Sequence, residues 1–442
     1  MIFIILMISM TKNNNTFNSS IHSNNNSNFN SFDNNSSNSI LVFEYYTASG
    51  INDPNIISEA ITLIESLLND LTIFSKKEFS NNDSLNEKYS NDENINIHFL
   101  VSDKFNDIGN SYDSINKNKI VIDIPLEEWL NENISFFDSC MFISAEKNMN
   151  LYNLTKIIED NNVKIYGSDS ESTLLSSNKF STFKHLQNIV KQPKTFLFTI
   201  TDENPWEISI KSIFEFLYDE NNPNSDDYKL IVKPLYGVDC QDMVIISDLE
   251  DISGLKEKFP DDIKVIVQEF IPGENVSVSL ISDGKQAIPI SLNKQYININ
   301  KETQEYLGGK LPYCHPLTKK AFSVAKKAVE SIEGIKGFVG VDLIINDLNN
   351  SILNKTDSNN LNLNNIEKNG DNIYFLEINS RFTTPYVGLS KIANFNMGGT
   401  IIELLDHKID IDYLYKKNIG FNQFDHVVKF KKNNTFLDIE IL

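Results

Sequence analysis

Three oxygen donors and the chain's one arginine fall in two short segments. Asp342 stands in Gly340-Val341-Asp342-Leu343, and Glu377, Asn379 and Arg381 in Phe375-Leu376-Glu377-Ile378-Asn379-Ser380-Arg381. Residues two apart on an extended strand project from one face, so Glu377 and Asn379 are expected to point together, with Asp342 joining them from a neighbouring strand. Two carboxylates and an amide oxygen are hard ligands, suited to Mg2+ or Mn2+ that shares its coordination with substrate phosphates rather than to Zn2+. Arg381 continues the same parity, so in an extended chain its guanidinium would face the metal. Acidic strand residues by themselves are usually solvated; their convergence with the arginine is what argues for a site. Basic charge is otherwise lysine, 38 of 39 basic residues. A guanidinium is a planar fork that grips a carboxylate or phosphoryl group through two parallel hydrogen bonds, which an ammonium cannot do. Biased base composition accounts for the scarcity of arginine but not for its position.

Two further segments carry potential chemistry. Leu230-Ile231-Val232-Lys233-Pro234-Leu235-Tyr236-Gly237 reads as a buried strand ending in a lysine. Such a lysine either meets an anion, for instance a phosphate, or simply emerges at the strand end. Val267-Gln268-Glu269-Phe270-Ile271-Pro272-Gly273-Glu274 is by itself an ordinary strand and turn, of the kind that can offer backbone groups to an adenine edge. No stretch matches GxxxxGK[ST] or GxGxxG, so a nucleotide would have to bind in another way.

The elements that must position these residues follow from the hydrophobic pattern. Strand signals at 338–345 and 373–378 flank a polar tract, 349–371, best read as an expanded hairpin loop, because loop length costs stability only logarithmically. Its closure brings Asp342 close to Glu377. Strand-like runs at 230–233, 243–247, 265–270, 276–282 and 287–292 make 180–345 largely antiparallel β-structure with short helices. Upstream, a strand at 40–45 precedes an amphipathic helix at 56–71, with Ile57, Ile61, Ile64, Leu68 and Leu71 at helical spacing. With strands at 97–101 and 139–144 this predicts a small α/β domain over 40–150. Residues 1–39 lack periodicity beyond an apolar stretch at 1–10 that is too short for a membrane helix, and are expected to be a disordered extension.

The net charge of -21 argues against nucleic acid or an anionic membrane as partner, so an anionic substrate requires a local cationic pocket. Cys140, Cys240 and Cys314 show no CxxC spacing and predict neither disulfides nor a thiolate metal site, which fits a reducing cytoplasm. His98, His185 and His315 are read as structural or surface residues.

Taken in chain order, a first lysine (Lys179), the VKP strand, the QEF-I-G segment and the final Asp plus Glu-x-Asn set resemble the ATP-grasp superfamily over roughly 160–405. The resemblance implies an α+β fold of two subdomains clasping ATP, preceded by the α/β domain, with 349–371 an insertion and 406–442 a C-terminal segment. Lys179 and Lys233 would lie on the phosphates. Gln268, Glu269, Phe270 and Ile271 would form the hinge against adenine, Glu274 would reach the ribose, and Asp342, Glu377 and Asn379 would hold two metal ions.

More narrowly, Ser277-Val278-Ser279-Leu280-Ile281-Ser282-Asp283-Gly284, Tyr306-Leu307-Gly308-Gly309, the run from Glu377 to Leu389 and the Ser58-Glu59-Ala60 helix start are similar to the archaeal tyramine–L-glutamate ligase group, which serves methanofuran biosynthesis. That likeness implies amide formation between the γ-carboxylate of L-glutamate and tyramine through an acyl phosphate. Lys233 and Arg381 would be the catalytic residues, Arg381 stabilising charge on the acyl phosphate. Tyr296, Tyr306, Tyr313 and Phe382 are candidates for the amine pocket. Two positions depart from the superfamily pattern: Asn178 precedes the first lysine where Asp is common, and Asp242 stands in the phosphate loop 237–242 where a second glycine is usual. The rival readings are an ATP-grasp ligase or carboxylase with another substrate pair, and a nucleotide-binding protein without catalysis.

Overall fold

Ile40-Leu41-Val42-Phe43 has no polar break, the pattern of a strand covered on both faces. In the computed structural model, which describes residues 38–76, 95–201, 206–221, 229–237, 243–259, 262–299, 304–346, 372–433 and 436–442, it forms the centre of β1 (Asn38–Glu44). The expectations for 1–37, the loop 238–242 with Cys240 and Asp242, and the tract 349–371 lie outside the described residues.

β1 is the middle strand of a parallel sheet ordered β3-β2-β1-β4-β5, with β2 (Ile95–Ser102), β3 (Lys119–Ile122), β4 (Ser139–Ile143) and β5 (Lys164–Ile165). Ile40 and Val42 pack under α1 (Ile57–Ser75) with Ile64, Leu67, Leu68 and Leu71. Leu41 and Phe43 face the other way, against α2 (Leu126–Asn133) and α3 (Asn150–Asp160). The α/β layer therefore runs to Ile165, past position 150, because β5 pairs with β4 through only two residues and leaves no periodic signal. The strand order reverses between β1 and β4, and the segment after β4 carries Glu146 at that reversal.

After α4 (Ser170–Ser177) and α5 (Lys179–Leu186), the chain forms a four-stranded antiparallel sheet ordered β6-β9-β7-β8. Its strands are β6 (Thr195–Ile200), β7 (Leu230–Pro234), β8 (Val244–Ile246) and β9 (Ile263–Glu269), with α6 (Trp206–Asn221) on one face. Leu230, Val232, Val265 and Val267 enter the core with Trp206, Ile210 and Leu217. The alternate residues Ile231, Lys233 and Gln268 face a cleft.

The third layer is a seven-stranded sheet ordered β14-β13-β10-β11-β12-β15-β16. It consists of β10 (Glu274–Asp283), β11 (Ala287–Ile299), β12 (Gln304–Leu311), β13 (Lys336–Ile345), β14 (Ile373–Asn379), β15 (Val428–Asn433) and β16 (Phe436–Ile441). The segment beyond 405 thus completes this sheet. α7 (Thr318–Glu330) covers one face through Ala321, Phe322, Ala325 and Val329, packed on Val278, Val339 and Val341. On the other face, α8 (Pro385–Ile392) and α9 (Met397–Leu405) meet α1 in one continuous core. The approach of α9 to α1 needs Gly399, where a Cβ would run into the Phe74 ring. Among the described residues no helix is long and apolar enough to cross a membrane.

Candidate active site

β13 and β14 pair antiparallel with Asp342 opposite Glu377 and Gly340 opposite Asn379. The expected pairing of the two strands is present, but parity alone would not have built the site. Ile373, Phe375, Glu377 and Asn379 share one parity, and a regular strand would send all four to the same face. The register shifts after Asp342, where Leu343 is already opposite Phe375, so Leu376 is the extra residue of a β-bulge. Ile373, Phe375 and Ile378 consequently enter the core, while Leu376, Glu377 and Asn379 line the cleft.

That cleft, about 180 Å3, lies between the four- and seven-stranded sheets and is lined from both. From the first come Lys233 on β7 and Gln268 on β9; from the second come Asn275, Ser277, Gln295, Asp342, Glu377 and Asn379. Lys233 Nζ donates to Gln268 Oε1 at 3.1 Å, and Gln268 Nε2 in turn donates to Thr195 Oγ1 at 3.0 Å. Lys179 opens α5, whose N-terminus is capped by Asn178 Oδ1 accepting from the Ser181 amide. Lys179 Nζ donates to the Gly237 carbonyl at 2.7 Å and lies 3.4 Å from Glu377 Oε2. The Asn at 178, a departure from the superfamily pattern, thus serves as a helix cap.

Asp342 Oδ1 accepts from Gln295 Nε2 at 2.9 Å and Oδ2 from Asn379 Nδ2 at 3.0 Å. Burial, followed by the charge of Glu377, pushes the Asp342 carboxyl up to about 7. Burial alone would raise Glu377 as well, but the charges of Lys179 and Lys233 together with hydrogen bonds from Asp342 and Lys179 hold it below the usual carboxylate range. Two adjoining carboxylates of which one holds its proton up to about pH 7 suit a divalent cation, which would take the place of that proton. Among the described residues no group of three or more His, Cys, Asp or Glu could hold a metal. An ion at Asp342, Glu377 and Asn379 would therefore draw further oxygens from a bound ligand, as Mg2+ or Mn2+ does from phosphates.

Gln268, Glu269, Phe270 and Ile271 all line the cleft. Glu274 does not. It lies on the face of β10 opposite Asn275 and Ser277, where its Oε2 accepts from Tyr313 Oη at 2.7 Å and from Lys294 Nζ at 2.8 Å. Arg381 lines the cleft, but β14 ends at Asn379, so Arg381 is not held in strand parity with Glu377 and Asn379. Its Nε and Nη2 instead grip Glu146 Oε2 at 2.9 and 2.8 Å, and Nη1 donates to the Phe382 carbonyl. Of the four aromatic candidates, Tyr306 lines the cleft. Tyr313 is bonded to Glu274, Phe382 is stacked on Phe338 in the core, and Tyr296 is 43% exposed. Burial pushes the Cys140 thiol far above its ordinary range, and burial lowers His98.

Glu59, Glu146 and Thr384 also belong to this region and carried no chemical role in the sequence reading. Thr384 Oγ1 donates to Glu59 Oε1 across 325 positions of chain. Glu59 and Glu146 come from the α/β layer, and no local spacing announces a contact made only when two layers dock.

A family model described as ATP-grasp domain matches residues 176–385. Solved structures with the same fold include an ATP-grasp superfamily protein from Archaeoglobus fulgidus, with a TM-score of 0.55 and 21% identity over 92% of this chain and 99% of that one. Another is a biotin carboxylase from Campylobacter jejuni, with a TM-score of 0.59 and 15% identity over 89% and 75%. The chain belongs to the ATP-grasp family, whose members use ATP and divalent metal ions, and it is a ligase that forms C–N bonds. Its relatives include the tyramine–L-glutamate ligase of Methanocaldococcus jannaschii, 32% identical over 356 residues, which cover 79% of this chain and 84% of that protein. The enzyme of that name from Methanocaldococcus fervens is 31% identical over 79% of this chain and 89% of its own length.

Proposed function

We propose that this ligase joins the γ-carboxylate of L-glutamate to the amine of tyramine, with γ-glutamyltyramine, ADP and phosphate as products, as a step in methanofuran biosynthesis. The observation that carries the reading is a single cleft in which Lys179 and Lys233 stand beside Asp342, Glu377 and Asn379, in a chain that matches ligases named for this reaction over 79% of its length. In the first step a γ-carboxylate oxygen of glutamate attacks the terminal phosphorus of ATP, forming an O–P bond and releasing ADP. In the second the amine attacks the acyl carbon. The C–N bond forms, the C–O bond to phosphate breaks, and phosphate leaves with the proton that the amine nitrogen gives up.

Lys179 and Lys233 bind phosphate oxygens, and Gln268 keeps Lys233 aimed across the cleft. The segment from Gln268 to Ile271 borders the adenine. Glu274, committed to Lys294 and Tyr313 here, reaches the ribose only by exchanging those partners. One or two Mg2+ or Mn2+ ions held by Asp342, Glu377 and Asn379 would neutralise charge on the transferring phosphoryl group. Arg381, oriented by Glu146, donates to the oxygens that gain charge in the acyl phosphate and the tetrahedral adduct. The test is a panel of amino acids and amines scored by ADP release and product mass. Glutamate with tyramine should give the highest kcat/KM, and a clear preference for another pair would overturn the substrate assignment.

A further inference from the structure

We propose that Glu59 is the carboxylate that receives the ammonium group of the acceptor amine, an assignment that rests on the ligase reading above. Among the described residues four acids line the cleft: Glu59, Glu269, Asp342 and Glu377. Asp342 and Glu377 form the pair between the lysines. Glu269 stands next to Phe270 in the segment assigned to the adenine, with its carboxylate near the Lys194 amide. Glu59 is the remaining one, and it enters from α1 of the α/β layer, where it meets Thr384.

A cleft built to receive phosphates and a carboxylate gains nothing from an extra anion, which would repel them. An acid is useful there when the other substrate is a cation. A primary amine has a pKa of roughly 10 and arrives protonated at neutral pH. It needs a carboxylate to hold it until it is deprotonated next to the acyl phosphate.

The surroundings of Glu59 fit such an exchange. The Thr384 hydroxyl donates to Oε1, which fixes the carboxylate, while Lys432 Nζ sits 3.4 Å from Oε2. A tight charge-assisted N–H···O bond measures about 2.7–2.9 Å, so a substrate ammonium at that distance would compete with the longer Lys432 hydrogen bond. Glu59 and Lys432 side chains are 12% and 15% exposed, enough for entry from the cleft and too little for full hydration. Lys432 also lies 6.0 Å from the centre of the Tyr306 ring, and Tyr306 and Ile297 line the same cleft. A cation-binding carboxylate and an apolar wall thus meet in one place, which fits an amine with a hydrophobic body.

The experiment compares two nucleophiles, with Mg-ATP and glutamate held constant. Tyramine is an ammonium at neutral pH, whereas hydroxylamine is uncharged there and traps an acyl phosphate as the hydroxamate. In Glu59→Gln the KM for tyramine should rise about 30-fold, as expected for loss of a charged hydrogen-bond partner, and the ratio of hydroxamate to amide should rise with it. Hydroxamate formation reports that the variant is folded, and Glu59→Asp should recover part of the tyramine KM. An unchanged ratio, or loss of both products together, overturns the assignment. A selective rise in the glutamate KM also overturns it, placing Glu59 on the α-ammonium of the acid substrate. Failure of the wild-type enzyme with both nucleophiles sinks the ligase reading, and this assignment with it.

Discussion

Arg381 meets two demands that lysine cannot meet together. Its Nε and Nη2 both reach Glu146, which holds the guanidinium plane at the boundary between the α/β layer and the cleft, while Nη1 holds the Phe382 carbonyl. Arg381→Lys should bind Mg-ATP as the wild type does but lose about 100-fold in turnover, the effect of removing one oriented donor worth about 3 kcal/mol. Steady-state kinetics beside nucleotide titration checks this, and near-normal turnover would remove Arg381 from the chemistry. A second buried charge governs stability instead. Asp70 on α1 accepts from Tyr386 Oη at 2.6 Å and from the Gly398 amide, and burial raises its carboxyl to about 7 from an ordinary value of 3.8. The folded chain therefore holds the Asp70 proton more tightly than the unfolded chain does. The stability this contributes is complete below pH 4 and is lost as pH rises through about 7. Asp70→Asn keeps an acceptor for Tyr386 and removes that loss. Relative to wild type, urea unfolding should show the variant gaining on the order of 3 kcal/mol between pH 4 and pH 8. Equal pH slopes in the two proteins would contradict the assignment. Glu44, also raised to about 7 by burial, should leave a residual slope of the same sign in both.

At the scale of elements, the bulge at Leu376 decides whether β14 carries a site. Deleting Leu376 restores a regular strand, which must either bury Glu377 and Asn379 or turn Ile373 and Phe375 out of the core. Either outcome should lower stability by about 3 kcal/mol or more in urea unfolding and abolish turnover. A wild-type unfolding midpoint would show that the bulge is not needed. The hairpin itself was legible in the sequence because two strong apolar runs flank a polar tract, and so was the meeting of Asp342 with Glu377. The bulge was not, since the 2-residue period of 373–379 has two incompatible solutions and the register of β13 chooses between them. For the same reason the cleft-facing parity of Lys233 could be read from Leu230 and Val232, whereas Glu274 looked like a neighbour of the hinge and turned out to face Lys294 and Tyr313. The short β5, and β12 with its paired glycines, carry too little apolar pattern to be seen before their partners are known.

Across the whole molecule, the α/β layer and the seven-stranded sheet share one core, while the four-stranded sheet has its own. The cleft lies where these two bodies face each other, so the lysines come from the smaller subdomain and its approach, and the carboxylates from the larger. In a chain with a net charge of -21, Lys179 and Lys233 make a local cationic spot that the overall charge does not foretell. Glu59 and Glu146, both from the α/β layer, reach the same region, so all three layers contribute to one reaction space. The proposed reaction activates a carboxylate in this space as an acyl phosphate before an amine takes it. The most direct measurement supplies glutamate labelled with 18O in its γ-carboxylate, together with tyramine and Mg-ATP, and follows both products by mass spectrometry. The predicted result is γ-glutamyltyramine that keeps one label, with the other label transferred to inorganic phosphate in equal amount. Amide formed with unlabelled phosphate, or no amide despite ATP binding, would contradict it.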